Sequence, residues 1–176
     1  DQLMNPVWHI HQGHPPQPEE GAVSFVLLLN LVAVANASDK SVLWAFLKRY
    51  APQVSPKTHP RLDSMVGYAI RYFTDFVKPG KKYRLPTDDE RKALEDLSAA
   101  LAQLPEGSTP EAIQQKVYDI GRRKPYTTTQ KDGSVGVAQT WFNMLYQVLL
   151  GEERGPRFGS FAALFGLANT RALIGK

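Results

Sequence analysis

A chain of 176 residues with 43% hydrophobic and 22% charged residues has the composition of a folded globular protein, as one medium domain or two small ones. The absence of cysteine excludes disulfides and thiolate metal sites. The 21 basic and 17 acidic residues leave a net charge of +4 at pH 7, a mild bias toward polyanionic partners. Because the first residue is Asp1 rather than an initiator methionine, we expect a fragment of a longer chain or a processed product.

Residues 1–21 predict an irregular lead-in, because they hold four prolines and show no hydrophobic periodicity. The same segment holds His9, His11 and His14, three of the four histidines, a cluster that invites a metal site. No acidic or cysteine partner lies nearby at ligand spacing, which favours a structural or solvent-exposed role for the histidines. No metal is therefore predicted.

Residues 22–37 are apolar on almost all sides, which predicts a buried helix, with a central strand as the alternative. The stretch is shorter than the roughly 20 apolar residues of a membrane span, so no membrane contact is expected. Ser38 or Asp39 can cap the next helix. A further helix is predicted to open at Thr58, with Pro60 in its first turn. Its apolar stripe comprises Leu62, Met65, Val66, Ala69, Ile70, Phe73, Phe76 and Val77.

The opposite face of that helix and the segment after it are basic, with six basic and two acidic residues from Arg61 to Arg84. Aromatic side chains among cations suit RNA, because phosphates attract the charge and unstacked bases need a flat partner. A solvated helix face with half-buried tyrosines is the alternative. The predicted contacts are Tyr68, Arg71, Tyr72, Lys78, Lys81, Lys82 and Arg84, with the cations among them placed on the RNA backbone.

The second half of the chain carries several helix boundaries. Thr87 with Glu90, and Ser108 with Glu111, have the spacing of capping boxes. Leucines between them repeat at heptad spacing and predict helix packing. Residues 125–136 predict a polar loop, whose Asp132-Gly-Ser segment could cap the last long helix.

The segment 140–166 predicts a helix, a basic turn and a second helix. Gly151 has the position of a helix cap, and Pro156 suits the first turn of the next helix. Arg154 and Arg157 on this glycine-rich turn suit a phosphate or a base edge. The alternative is that Glu152 and Arg154 only solvate a tight helical hairpin.

These patterns predict an all-α fold, a helical bundle of about seven or eight helices joined by short turns. The helical domain is expected to span residues 22–176, with a division into 22–84 and 85–176 as the alternative. The sequence has no glycine-rich phosphate loop after a strand, no nucleophile elbow and no obvious carboxylate pair. The residues by themselves therefore predict a binding module.

Three segments closely resemble class I lysyl-tRNA synthetases: residues 5–11 (NPVWHIH), 66–73 (VGYAIRYF) with 75–79 (DFVKP), and 146–161 (YQVLLGEERGPRFGSF). The resemblance is to the C-terminal part of the enzyme and covers essentially the whole chain. It implies an α-helix cage that binds the uridine-rich anticodon stem-loop of tRNA(Lys), in a cytoplasmic enzyme with an upstream catalytic domain that uses ATP and Mg. The two class I signatures, His-Ile-Gly-His and Lys-Met-Ser-Lys-Ser-like, are absent, so we expect this fragment to be non-catalytic and without a cofactor of its own.

The glutamyl enzymes, which are related, have a similar turn that approaches the anticodon. This looser similarity implies anticodon contacts by Tyr146, Arg154, Arg157 and Phe158. Where those enzymes carry an arginine, this chain has Tyr146 or Gln147, so a base-specific role does not carry over directly. Two other hypotheses compete with an anticodon-binding domain: a helical protein-interaction module without RNA binding, and a metal-dependent enzyme that uses the three histidines.

Overall fold

The computed structural model describes residues 4, 6–10, 12–14, 23–35, 37–130 and 132–176. Within these residues the fold is nine α-helices and one two-stranded hairpin, which confirms the all-α prediction. The helices are α1 (Pro6–Ile10), α2 (Phe25–Ala35), α3 (Lys40–Tyr50), α4 (Pro60–Tyr72), α5 (Asp88–Ala102), α6 (Pro110–Gly121), α7 (Gln139–Leu149), α8 (Phe158–Phe165) and α9 (Leu167–Ile174).

The first two helices settle two expectations. The apolar stretch is the helix α2 rather than a strand. The short helix α1 lies in the segment predicted to be irregular, with Pro6 as its first residue, so that prediction is wrong for residues 6–10. Among the described residues, no single helix is long and apolar enough to cross a membrane; α2 and α3 meet the criteria of length and composition only together, across a bend of 116°.

Two predicted helix caps are confirmed. The Asp39 carboxylate accepts a hydrogen bond from the Ser41 amide at the start of α3. Thr87 and Glu90 form the reciprocal capping box of α5. Gly166, with φ of +94°, ends α8 as expected, since a glycine adopts this backbone conformation without a side-chain clash.

Three predicted starts are wrong by one to a few residues. Thr109, rather than Ser108, caps α6, and it accepts from the Ala112 amide without a reciprocal bond from Glu111. Helix α4 begins at Pro60 after His59, while the Thr58 hydroxyl bonds to Ser55 in the preceding turn. Pro156 lies before α8, whose N-cap is Arg157.

Residues 125–136 are not only a loop. The strands β1 (Thr127–Thr129) and β2 (Val135–Val137) pair antiparallel, with Thr127 opposite Val137. Asp132 accepts hydrogen bonds from the amide and hydroxyl of Ser134, at 2.9 and 2.7 Å, and so closes the hairpin turn. The predicted cap on α7 is therefore wrong: α7 follows Ala138 and has no side-chain cap.

Helix α4 continues into a π-helical turn at Phe73–Val77 and a 3₁₀ turn at Lys78–Gly80. A π-helical turn holds more residues than an α-helical turn, so the residues after it change faces. Phe73 is buried, whereas Phe76 is 69% exposed. Val77 still packs against the core as the stripe predicted, whereas the assignment of Phe76 to the core is wrong.

One hydrophobic cluster joins helices from both halves of the chain. The rings of Phe46 and Phe165 lie 5.4 Å apart, and the Arg49 guanidinium donates to the Phe165 carbonyl at 3.2 Å. Helices α6 and α8 approach closely at Gly159, where a side chain would collide with the Pro110 carbonyl. The proposed division at residue 84 stays a prediction.

Candidate nucleic-acid interface

The structure brings together two segments that the sequence analysis singled out separately. The Lys82 amide donates to the Gly151 carbonyl at 3.0 Å, and the Arg84 Nε donates to Gln147 Oε1 at 2.9 Å. Between the segments lies a groove of about 700 Å³, called the polar groove below. Its lining residues are Gly80, Lys82, Tyr83, Arg84, Gln147, Gly151, Glu152, Glu153 and Arg154.

Lys81 lies beneath this groove and not on its surface. Its side chain is only 6% exposed, and the ammonium donates to the Leu150 carbonyl and pairs with Glu152 at 3.1 Å. The Nζ atom also lies 5.6 Å from the centre of the Phe73 ring. The phosphate contact predicted for Lys81 stays a prediction, and it would require the ammonium to leave these partners, which hold the 151–157 turn.

Arg84 is similarly engaged within the protein. Its two Nη atoms donate to the two carboxylate oxygens of Glu90, both at 2.7 Å. This hydrogen bonding raises the pKa of Arg84 and lowers that of Glu90 from their ordinary values. Since Nε already donates to Gln147, the guanidinium has little hydrogen-bonding capacity left. The RNA-backbone contact predicted for Arg84 stays a prediction, and it would require the guanidinium to leave Glu90 or Gln147.

Tyr146 supports the turn from inside the protein. The side chain is buried, its hydroxyl donates to the Pro156 carbonyl, and its ring packs against Gly155. Burial raises the pKa of Tyr146 to about 12. Phe158 is also buried, and its ring lies 5.9 Å from that of Phe161. Neither ring can stack on a base without leaving the core, and the two anticodon contacts stay predictions.

The two arginines of the turn have different surroundings. Arg154 is exposed, lines the polar groove and forms no ion pair with any residue that the structure describes. Arg157 pairs with Glu111 of α6 at 3.3 Å and does not line the groove. Lys82 is exposed and lies on the groove wall opposite the turn. Lys82 and Arg154 are thus the groove cations available to an anion.

The remaining predicted residues lie on the surface of α4 and the turn after it. The Arg71 guanidinium lies 5.1 Å from the centre of the exposed Tyr68 ring. The Tyr72 ring is 5.2 Å from that of Phe76 and 6.2 Å from that of Phe25. We call Tyr68, Arg71, Tyr72 and Phe76 the α4 patch. Lys78 is exposed on the following turn, and none of these five residues lines the polar groove.

Sequence reasoning missed Tyr83 and Phe76. Tyr83 is 59% exposed, lies over Gly151 and has its ring centre 5.8 Å from the Lys81 Nζ. Partial burial, with the nearby Glu152 carboxylate, raises the pKa of Tyr83 from its ordinary value. Its position in the string Lys-Lys-Tyr-Arg was a usable signal, because an aromatic side chain among cations is typical of RNA-binding surfaces. Phe76 was missed because the π-helical turn changes its face.

The histidine cluster is described only in part. His14 hydrogen-bonds to the Gln12 carbonyl at 3.0 Å, and His11 lies outside the described residues. Across the parts of the chain that the structure describes, no group of three or more His, Asp or Glu side chains could hold a metal ion. The hypothesis of a site formed by all three histidines stays untested.

The structure thus shows a helical fold with an exposed groove lined by side chains of both charges. No family model matches the chain, and no solved structure matches it significantly. Curated lysine–tRNA ligases match it closely: the enzymes of Rickettsia felis, Roseobacter denitrificans and Rickettsia bellii are 41%, 46% and 43% identical to it over 172 residues. Each match covers 98% of this chain.

The chain spans about a third of the length of these relatives, since each match covers 31% of the ligase. The chain is thus homologous, over nearly all its length, to one segment of lysine–tRNA ligases, as a fragment of a lysyl-tRNA synthetase would be. The resemblance seen in the three sequence segments is confirmed at this level.

Proposed function

We propose that this chain is the anticodon-binding region of a class I lysyl-tRNA synthetase and that it binds the uridine-rich anticodon stem-loop of tRNA(Lys). The observation that carries the proposal is the polar groove, in which Lys82 and Arg154 come from distant segments and face one cavity. Homology to lysine–tRNA ligases supports RNA as the ligand.

In this proposal the groove holds the RNA backbone. Lys82 and Arg154 attract phosphates, while Glu152 adds little repulsion because Lys81 neutralises it from below. Hydrogen bonds from Lys81 and Tyr146 fix the turn that carries Arg154, so less conformational entropy is lost when RNA binds. The α4 patch offers further rings and a cation for unpaired bases.

We assign no catalytic step to these residues. The ligation of lysine to tRNA, with ATP and Mg, belongs in this proposal to an upstream catalytic domain of the same protein. The proposed partners are therefore tRNA and that domain, and the proposed compartment is the cytoplasm.

The test is the affinity of the chain for two stem-loops, one with a lysine anticodon and one with its uridines replaced by cytidines. Both are measured at several salt concentrations. We expect tighter binding of the uridine loop and weaker binding of both RNAs as salt rises, because phosphate contacts release counterions. Binding of neither RNA by the folded chain would contradict the proposal.

Two variants and a control locate the site. Arg154→Ala and Lys82→Ala should each lower the slope of log affinity against log salt by about 0.7, the value for one phosphate contact on a single strand. Lys57→Ala removes an exposed cation that does not line the polar groove, and it should change the slope little. Equal effects of all three substitutions would argue for diffuse attraction instead of a groove.

A protein-interaction module is the second candidate, because the α4 patch exposes large apolar surface. Tyr68 is 57% exposed, Tyr72 47% and Phe76 69%. Exposed aromatic clusters of this kind also mark protein interfaces. Absence of RNA binding by the folded chain, together with a protein partner that protects Phe76 from solvent, would favour this function.

A further inference from the structure

A second groove adjoins the polar groove and shares two of its lining residues, Tyr83 and Arg84. It measures about 870 Å³, a size typical of ligand sites. We call it the apolar groove. Its floor is formed by aliphatic side chains of four helices, among them Val34 of α2, Leu94 of α5, Leu149 of α7 and Ile174 of α9.

The rim of the apolar groove is charged. Arg91 and Arg171 lie on it and form no ion pair with any other residue that the structure describes. Glu95 and Ser98 lie on the same wall as Arg91, on helix α5. The groove thus combines an apolar floor with guanidinium donors, the Lys176 ammonium, the Glu95 carboxylate and the hydroxyls of Ser98 and Tyr83.

Tyr83 stands between the two grooves as an exposed, flat ring. Its position is fixed from below, because the ring lies against Gly151, whose φ is +67°, and near the Lys81 ammonium. A Cβ atom at residue 151 would lie 3.0 Å from the ring, so a larger residue there would push Tyr83 away. A fixed aromatic ring between cations is a good surface for stacking an unpaired base.

We infer that Tyr83 and the apolar groove form a pocket for one unpaired base of an RNA loop whose backbone occupies the polar groove. The base stacks on Tyr83, and its edge reaches the polar groups of α5. A uracil edge offers two carbonyl acceptors and one N–H donor, which match the donors of Arg91 and the carboxylate of Glu95. This inference rests on the proposed function.

An acidic amphipathic peptide is the other ligand that such a groove suits. RNA is favoured because the apolar groove continues into the polar groove through Tyr83 and Arg84. Arg171, on the rim of the groove, is also suited to a phosphate beside the flipped base.

The test uses the full chain and an anticodon stem-loop in which one loop uridine at a time is replaced by a fluorescent uridine analogue. Tyr83→Leu keeps the bulk over Gly151 but removes the π face, and Tyr83→Phe keeps both. We expect Tyr83→Leu to weaken binding roughly 5- to 150-fold, the range for one lost stacking contact, with an unchanged salt slope. Tyr83→Phe should bind like the unaltered chain and quench the fluorescence of the uridine analogue at the same position.

The matched control is Tyr50→Leu, at a tyrosine that is 41% exposed and lines neither groove. It should change neither affinity nor fluorescence. If the unaltered chain, Tyr83→Leu and Tyr50→Leu bind RNA equally well, this inference is overturned. The proposed function is then unaffected. Absence of RNA binding by the unaltered chain would overturn both.

Discussion

Lys81 and Lys82 are neighbours in the chain, but their ammonium groups lie in opposite environments. The backbone at Lys81 is extended, with φ of −67° and ψ of 131°, and successive side chains of an extended segment point to opposite sides. Lys81 therefore points toward the Leu150 carbonyl and Glu152, while Lys82 points toward the polar groove. The sequence could predict a basic segment but not which lysine is buried, because that depends on the turn from residue 151 onward.

This difference yields a matched pair of substitutions. Lys81→Met should lower the free energy of unfolding by about 1–3 kcal/mol, because the Leu150 carbonyl and Glu152 lose a charged partner. It should weaken RNA binding with little change in salt slope. Lys82→Met should leave stability within about 0.5 kcal/mol but lower the slope by about 0.7. Urea unfolding and salt-dependent titrations measure both; identical profiles for the two variants would refute the assignment.

Tyr146 gives the stability of the protein a dependence on alkaline pH. The pKa of its phenol is about 12 in the folded protein and 10.0 for an ordinary tyrosine. Between these values the unfolded chain has lost the proton that the folded chain keeps, so this contribution is complete below about pH 10 and falls as pH rises.

We expect Tyr146→Phe to cost about 1 kcal/mol near neutral pH, the value of one hydrogen bond, here the bond to Pro156. The variant should also lose less stability than the unaltered chain as pH rises from about 10 to 12. Urea unfolding across that range is the measurement, with Tyr50→Phe at an exposed position as the control. A parallel loss of stability in all three proteins would show that Tyr146 is not the group responsible.

At the scale of elements, the π-helical turn at Phe73–Val77 decides which aromatic residues are exposed. Helical spacing correctly predicted α4 up to Phe73, because the buried residues of the helix recur with its period of 3.6 residues. A single wide turn breaks this period, and nothing in the local pattern of residues 73–77 announces it. Phe76 therefore joins the α4 patch and leaves the core.

A pair of alanine substitutions tests this register. Phe73→Ala should cost about 3–5 kcal/mol of unfolding free energy, as expected for a buried ring, since Phe73 is 6% exposed. Phe76→Ala should change it by only about 0.5 kcal/mol. Thermal or urea unfolding of the two variants is sufficient, and similar losses would mean that α4 continues as a regular α-helix.

The hairpin shows a second limit of sequence reasoning. Its strands have three residues each, and β1 is the polar run Thr-Thr-Thr, so no alternation of apolar and polar residues marks it. Pairing with Val135–Val137 across the turn stabilises it, and such contacts are invisible to a local pattern. Phe158 shows the reverse case. The family similarity implied an anticodon contact for it, yet its spacing of three residues from Phe161 places both on one face of α8, and both rings are buried.

At the scale of the whole molecule, the candidate site exists only in the folded chain. The sequence indicated a basic segment ending at Arg84 and a basic turn after Gly151 as separate features. Their meeting depends on long-range contacts, including the Lys82–Gly151 hydrogen bond and the Lys81–Glu152 ion pair. Helical periodicity carries no information on such pairs, so the polar groove could not be predicted.

The two walls of the polar groove are distant in sequence and are joined by the hydrogen bond between Lys82 and Gly151. A ligand in the groove therefore contacts both stretches of the chain. A ligand held by both walls binds only the native state, so it must shift the unfolding equilibrium by mass action. A stem-loop at a hundred times its dissociation constant should add about 2.7 kcal/mol to the free energy of unfolding. Thermal melts at rising RNA concentration would reveal this gain. At the same RNA concentration the gain should be smaller in Arg154→Ala, by RT times the logarithm of the factor by which its affinity falls.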